Sequence, residues 1–156
     1  MDHETFMRAA IALSQKNVDD GTGGPFGAVV VRDGEIIGEG TNQVTSANDP
    51  TAHAEVVAIR QACERLETFN LEGCVVYTSC EPCPMCLSAI YWARLDRIFY
   101  GNTKVDAAKI DFDDDFLYRE IPKPISERNI PTEQLLRDES IAAFDAWAKS
   151  EIKVPY

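Results

Sequence analysis

The pattern that most constrains this chain is His53-Ala54-Glu55 followed by Cys80-Glu81-Pro82-Cys83-Pro84-Met85-Cys86. The chain has two histidines, and the other, His3, stands at its start. Imidazole nitrogen and thiolate sulfur are the ligands zinc prefers, and Cys-x-x-Cys places two sulfurs on one face at a helix start. If His53, Cys83 and Cys86 hold one ion, any fold must bring residues 53–55 against 83–86. Three protein ligands leave a tetrahedral ion one open position, the arrangement of a catalytic site with water as fourth ligand. Glu55, a hard-oxygen residue beside soft ligands, reads as a non-ligand placed to move protons. The competing reading is a structural Cys₃His knot with Cys80 as fourth ligand, which leaves Glu55 and Pro82 without a purpose. The five cysteines are an odd number without a secretory context, so a disulfide framework is not expected. Cys63 and Cys74 read as small buried residues.

Around this pair the chain reads as alternating helices and strands. Residues 3–17 suit an amphipathic helix with Phe6, Ala10 and Leu13 on one face and Asp2 as cap. Asp19 to Pro25 is a loop. Phe26–Val31 and Ile36–Gly40 flank Asp33-Gly34, a hairpin signal. Thr41–Thr51 is polar and loop-like. Ala54–Leu66 predicts a helix, and Cys74–Thr78 a short buried strand. Pro82 is expected to open a helix running through Arg94, and Arg97–Tyr100 a strand parallel to the previous one. Residues 122–131 hold Pro122, Pro124 and Pro131 and predict an extended connector. Ile141, Phe144, Trp147 and Ala148 predict a last helix. The order implies an α/β fold, a mixed sheet with helices on both faces. The length of 156 residues suits one compact domain.

The formal charge is −11, from 26 acidic and 15 basic residues, with no Lys/Arg cluster. Such a field repels phosphate polyanions, so a nucleic-acid substrate is disfavoured and a small neutral one suits the chain. No apolar run approaches a membrane span, and Met1-Asp2-His3-Glu4 lacks the basic and apolar regions of a signal peptide. The expectation is a cytoplasmic protein.

His53-Ala54-Glu55 and Pro82-Cys83-Pro84-Met85-Cys86 resemble the signature of the cytidine-deaminase-like superfamily of zinc deaminases. The likeness goes further. Gly24-Pro25-Phe26-Gly27-Ala28, Asn42, Asn48 to Glu55, Tyr77 to Cys86, Ala89 to Ala93, Phe112-Asp113-Asp114-Asp115-Phe116 and the terminal Tyr156 resemble bacterial guanine deaminases. The likeness is weakest across 122–150. It implies hydrolysis of guanine to xanthine and ammonia with one zinc ion per subunit. It also implies a three-layer α/β/α sandwich with a mixed five-stranded sheet. A further implication is a homodimer that exchanges its C-terminal segment, about 122–156, to help close the partner's site. Carried over by residue, Phe26 stacks on the purine and Asn42 hydrogen-bonds its ring. The Ala54 N–H binds a polar atom at the reacting carbon. Asp114 contacts the amine and shuttles protons, and Trp92 and Tyr156 wall the pocket. By composition alone Asn42 is a turn residue, Asp114 part of a solvated acidic run, and Trp92 as much a core residue as a pocket one.

The Pro-Cys-Pro-Met-Cys segment resembles tRNA adenosine deaminases too, although no basic stripe is present. Deaminases of guanosine, aminotriazines, cytosine or cytidine share the chemistry. A zinc-stabilised binding module is the non-enzymatic alternative.

Overall fold

A computed structural model describes residues 2–156. They divide into two compact units that meet in sequence between Asp114 and Asp115.

The first unit opens with helix α1, His3–Asp19, whose N-cap Asp2 accepts from the Thr5 N–H as expected. Strands β1, Gly27–Arg32, and β2, Glu35–Thr41, form the hairpin the sequence predicts. At its turn Asp33 and Gly34 have φ of 52° and 84°, the pair of positive values that matches the twist of the strands. A one-turn helix α2, Val44–Ala47, lies in the segment expected as loop. Helix α3 spans Ala54–Leu66, strand β3 Cys74–Cys80, helix α4 Pro84–Trp92, strand β4 Arg97–Asn102 and helix α5 Lys104–Ala108.

The sheet order is β2-β1-β3-β4. β1 runs antiparallel to both neighbours, and β3 and β4 are parallel across the α4 crossover. The sheet is mixed, as expected, but among the described residues it has four strands and not five. A fifth strand needs an alternating segment after β4. The chain instead forms α5, then helix α6, Asp115–Glu120, a 3₁₀ turn, Ile125–Glu127, and helix α7, Arg137–Lys149. The three prolines between α6 and α7 lack the N–H that a ladder requires. The 3₁₀ turn also interrupts the connector expected to be extended.

The start of α4 differs from expectation for a local reason. Steric clash with a following proline keeps Cys83 out of helical φ/ψ, so it sits extended (φ −66°, ψ 168°) as N-cap of a helix whose first residue is Pro84. A proline at that position removes only an N–H that has no helical partner.

Side chains alternate across the strands and fill two cores. Ala28, Val30, Cys74 and Val76 pack with Ala54, Ala58 and Ala62 of α3 and Ile90 of α4. Val29, Val31 and Tyr77 pack on the other face with Ala10, Phe6 and Leu13 of α1. Layers of helix, sheet and helix result. Covering both faces explains why β1 reads as a continuous apolar run. α3 rests on β2 almost without side chains between them. A Cβ on Gly40 would lie 2.6 Å from the Ala58 nitrogen and nearer still to the Ala54 carbonyl oxygen. One on Gly38 would lie 2.9 Å from the Ala62 nitrogen. Hydrogen exchanged for methyl at either position is incompatible with this approach. No helix among the described residues is long and apolar enough to cross a membrane.

In the second unit α7 forms where the sequence predicts the last helix, with Phe144 and Trp147 exposed within the chain.

Candidate active site

Two helix starts build the site. His53 is the N-cap of α3 and Cys83 the N-cap of α4, and neither makes a side-chain capping hydrogen bond. Cys86 is the third residue of α4 and is fully buried. The Nδ1 of His53 lies 3.5 Å from Cys83 Sγ and 3.5 Å from Cys86 Sγ. All three ligand atoms fall within 4.8 Å of one another. A tetrahedral zinc ion, with bonds near 2.05 Å to nitrogen and 2.3 Å to sulfur, holds such atoms roughly 3.6 Å apart. The donor set and its spacing therefore fit zinc. Cys80 lies outside the set; its thiol donates to the Thr103 carbonyl at 3.7 Å, and burial raises it to about 11.

The protons around the sulfurs are unevenly shared. A hydrogen bond from Cys86 and another from His53 hold Cys83 down at about 4, so it is a thiolate at neutral pH. Cys86 is pushed upward by that same bond and by burial. His53 is raised, chiefly by its bond to Cys83, against the opposing effect of burial. Both helix N-termini add positive partial charge, which favours anionic ligands.

Glu55, the second residue of α3, is 6% exposed. Burial raises its carboxyl above the usual carboxylate range, and the Cys83 thiolate adds to the effect. Its Oε1 accepts from the Thr78 hydroxyl at 3.2 Å. Asp114 is raised for the same two reasons, burial first and then Cys83, which joins it electrostatically to the cluster. Ala54 is fully buried as the first residue of α3, where the N–H has no carbonyl within the helix to bond.

Phe26 packs against the α3-side core and meets Phe112 edge to face, with centroids 4.9 Å apart. Asn42 is buried, and its Oδ1 accepts from the Val44 N–H at 3.2 Å, the turn role that composition suggests. Its backbone N–H donates to the Phe26 carbonyl at 3.2 Å, which ties the two residues together. Trp92 is elsewhere on the chain: it ends α4, 67% exposed, on a shallow apolar surface with Leu87, Ser88 and Tyr91. Of the two readings that composition leaves open for it, the core one does not hold. Tyr156 is the exposed last residue of the second unit.

Two residues of the site were not anticipated. Asn17, buried at the end of α1, donates from Nδ2 to the carbonyls of Gly24 (2.8 Å) and Asn42 (3.0 Å) and accepts from the Thr22 hydroxyl (2.7 Å). It clamps the segments that carry Phe26 and Asn42. The signal was present: Phe6, Ala10, Leu13 and Asn17 follow one helical face, and a carboxamide ends an apolar stripe. Thr78 is the other, a hydroxyl on the α3-facing side of a buried strand.

Comparison with known proteins bears on what this arrangement does. Residues 1–102 match the cytidine and deoxycytidylate deaminase zinc-binding region. The chain is 54% identical over 156 residues to guanine deaminase of Bacillus subtilis, covering all of both chains. An X-ray structure of guanine deaminase from Bacillus subtilis superposes with a TM-score of 0.97 at 54% identity, covering 100% of this chain and 99% of that one. A tRNA-specific adenosine deaminase of Aquifex aeolicus is 41% identical over 101 residues, 65% of this chain and 66% of the relative.

Proposed function

The chain belongs to the zinc-binding deaminases, and among them to the guanine deaminases, and on that footing we propose that it hydrolyses guanine to xanthine and ammonia. The observation that carries this reading is the full-length match to a guanine deaminase, whereas the tRNA adenosine deaminase relative matches 65% of the chain.

His53, Cys83 and Cys86 would hold the zinc, which when bound supplies a Lewis acid that makes water a nucleophile at neutral pH. Glu55 takes a proton from the attacking water and delivers it to the ring nitrogen beside the reacting carbon. A second proton, carried by Glu55 to the exocyclic nitrogen, lets ammonia depart. Water's oxygen stays on the ring and both its protons leave the water, so the reaction balances without a redox partner. A buried carboxyl whose affinity for protons is raised suits both donation and acceptance. Asp114 contacts the amine and helps to carry protons to it. Phe26 stacks on the purine face with Phe112 bracing its ring, Asn42 hydrogen-bonds the ring edge, and the Ala54 N–H binds a polar atom at the reacting carbon.

We propose in addition a homodimer in which segments from about 122 to 156 are exchanged. Residues 115–156 form a unit of their own and leave Ile130, Leu135, Phe144 and Ile152 exposed, apolar surface that a second chain would cover. Trp92 and Tyr156, both exposed in the single chain, would then wall the pocket. Five unpaired cysteines support a reducing, cytoplasmic location.

The test is ammonia release by the zinc-loaded protein from guanine, guanosine, adenine, cytosine and a tRNA anticodon stem-loop in parallel. Guanine is expected to exceed the rest by a wide margin. Faster release from the stem-loop or from cytosine refutes the assignment. Sedimentation that gives a monomer at micromolar concentration removes the exchanged dimer.

A further inference from the structure

From the bond between Thr78 Oγ1 and Glu55 Oε1 we infer that Thr78 is the positioning residue for the proton-carrying carboxylate. This rests on the guanine-deaminating reading of the site. Thr78 is 1% exposed on β3 and Glu55 6% exposed on α3, so neither group has bulk water as a substitute partner. The two are 23 residues apart in sequence, and their bond of 3.2 Å ties the sheet to the first turn of the helix. Glu55 has two other protein donors, its own backbone N–H and the Cys86 thiol. A cysteine that serves as a zinc ligand is a thiolate and has no proton to donate. Among the described residues Thr78 is thus the side-chain donor that remains in the working enzyme. A hydroxyl donates one proton, and it is committed to Oε1. Oε1 is thereby fixed in place and made the poorer base, while Oε2 is left to accept a proton and release it. A carboxylate that must alternate between base and acid within one turnover gains from being held in one rotamer.

Three variants of the full chain separate this role from simple packing: Thr78→Ser keeps the hydroxyl, Thr78→Ala removes it together with the γ-methyl, and Thr78→Val removes it while filling the space. Each is measured for zinc per chain, melting temperature, kcat and KM on guanine. Expected are full zinc loading in all three, a kcat for T78S within about threefold of wild type, and kcat for T78A and T78V about 10- to 100-fold lower with KM nearly unchanged. T78A or T78V as fast as wild type overturns the inference, as does T78S falling with T78A or a loss of kcat that tracks loss of zinc. The infrared carboxylate band that disappears in Glu55→Gln provides a readout that needs no substrate. It should shift in T78A and T78V and stay in T78S. A band unmoved in all three overturns the inference, whereas wild-type protein silent on guanine overturns the functional reading while the band still decides the role of Thr78.

Discussion

Replacing Gly40 by alanine should disable the metal site from the edge strand β2 beneath α3. The added methyl would stand 2.6 Å from the Ala58 nitrogen, with the Ala54 carbonyl oxygen nearer still. Non-bonded heavy atoms settle near 3.5 Å, so α3 must retreat by on the order of 1 Å. Both neighbours are backbone atoms, which no rotamer change can clear. The retreating turn is the one that carries His53 and Glu55. Zinc bonds tolerate about 0.2 Å, and a misplacement of about 1 Å in a catalytic group costs roughly 100-fold in rate. Overpacking of this kind also destabilises by about 1–3 kcal/mol. Gly38→Ala is the control, since its methyl meets α3 a full turn further on, at Ala58 and Ala62. The assay pairs thermal melts with zinc retained after dialysis against a chelator and with xanthine formation. Both variants should lose stability, and G40A alone should lose most of its zinc and about 100-fold in turnover. G40A with zinc retention and rate within twofold of G38A would refute the view that this backbone contact sets the position of the ligands.

Further outcomes follow from the site's protons and second layer. Glu55→Gln should keep its zinc and fold and lose on the order of 10²- to 10⁴-fold in kcat, checked by metal analysis beside turnover; full activity would remove Glu55 from the chemistry. Asp114→Asn should slow turnover of guanine, and a protein as fast as wild type leaves Asp114 without a role. Zinc binding should release protons, because Cys86 is raised and still protonated at neutral pH, and more of them as pH falls and the raised His53 gains a proton that zinc must displace. Calorimetry in buffers of differing ionisation enthalpy measures it, and a release that does not grow as pH falls would refute this reading of the ligands. Asn17→Ala takes the side-chain donor from the Asn42 carbonyl and one of two partners from each of the Gly24 carbonyl and the Thr22 hydroxyl, which keep the Phe26 N–H and the backbone carbonyl of residue 17. It should cost about 1–3 kcal/mol and raise KM more than it lowers kcat; an unchanged KM would detach the clamp from substrate binding.

Much of the fold was legible because its signals are local. The Asp2 cap and the Asp33-Gly34 turn depend on residues within a few positions of one another, and the crossover through α4 on the order of short elements along the chain. The ligand set was legible for the same reason, since each half of it opens a helix. The start of α4 was misplaced at Pro82 because two prolines compete there, and the steric effect of Pro84 on Cys83 decides between them. Residues 122–131 have prolines that forbid a strand without specifying what replaces it, so the 3₁₀ turn at Ile125–Glu127 was not foreseeable. Asn17 and Thr78 were missed because their meaning lies in partners 25 and 23 residues away, Asn42 and Glu55. A polar residue on a buried face announces that it has a partner and does not say which.

The helix starts at His53 and Cys83 set two demands against each other. Serine, threonine, aspartate or asparagine at such a position typically adds about 1 kcal/mol to a helix, and neither His53 nor Cys83 makes that bond. A capping residue at either position would firm the metal-free chain by about that much, but it would remove a ligand and with it the larger stability that bound zinc adds. The two positions give up a local gain for the metal, so a hardened descendant of this protein must find its gains elsewhere in the chain.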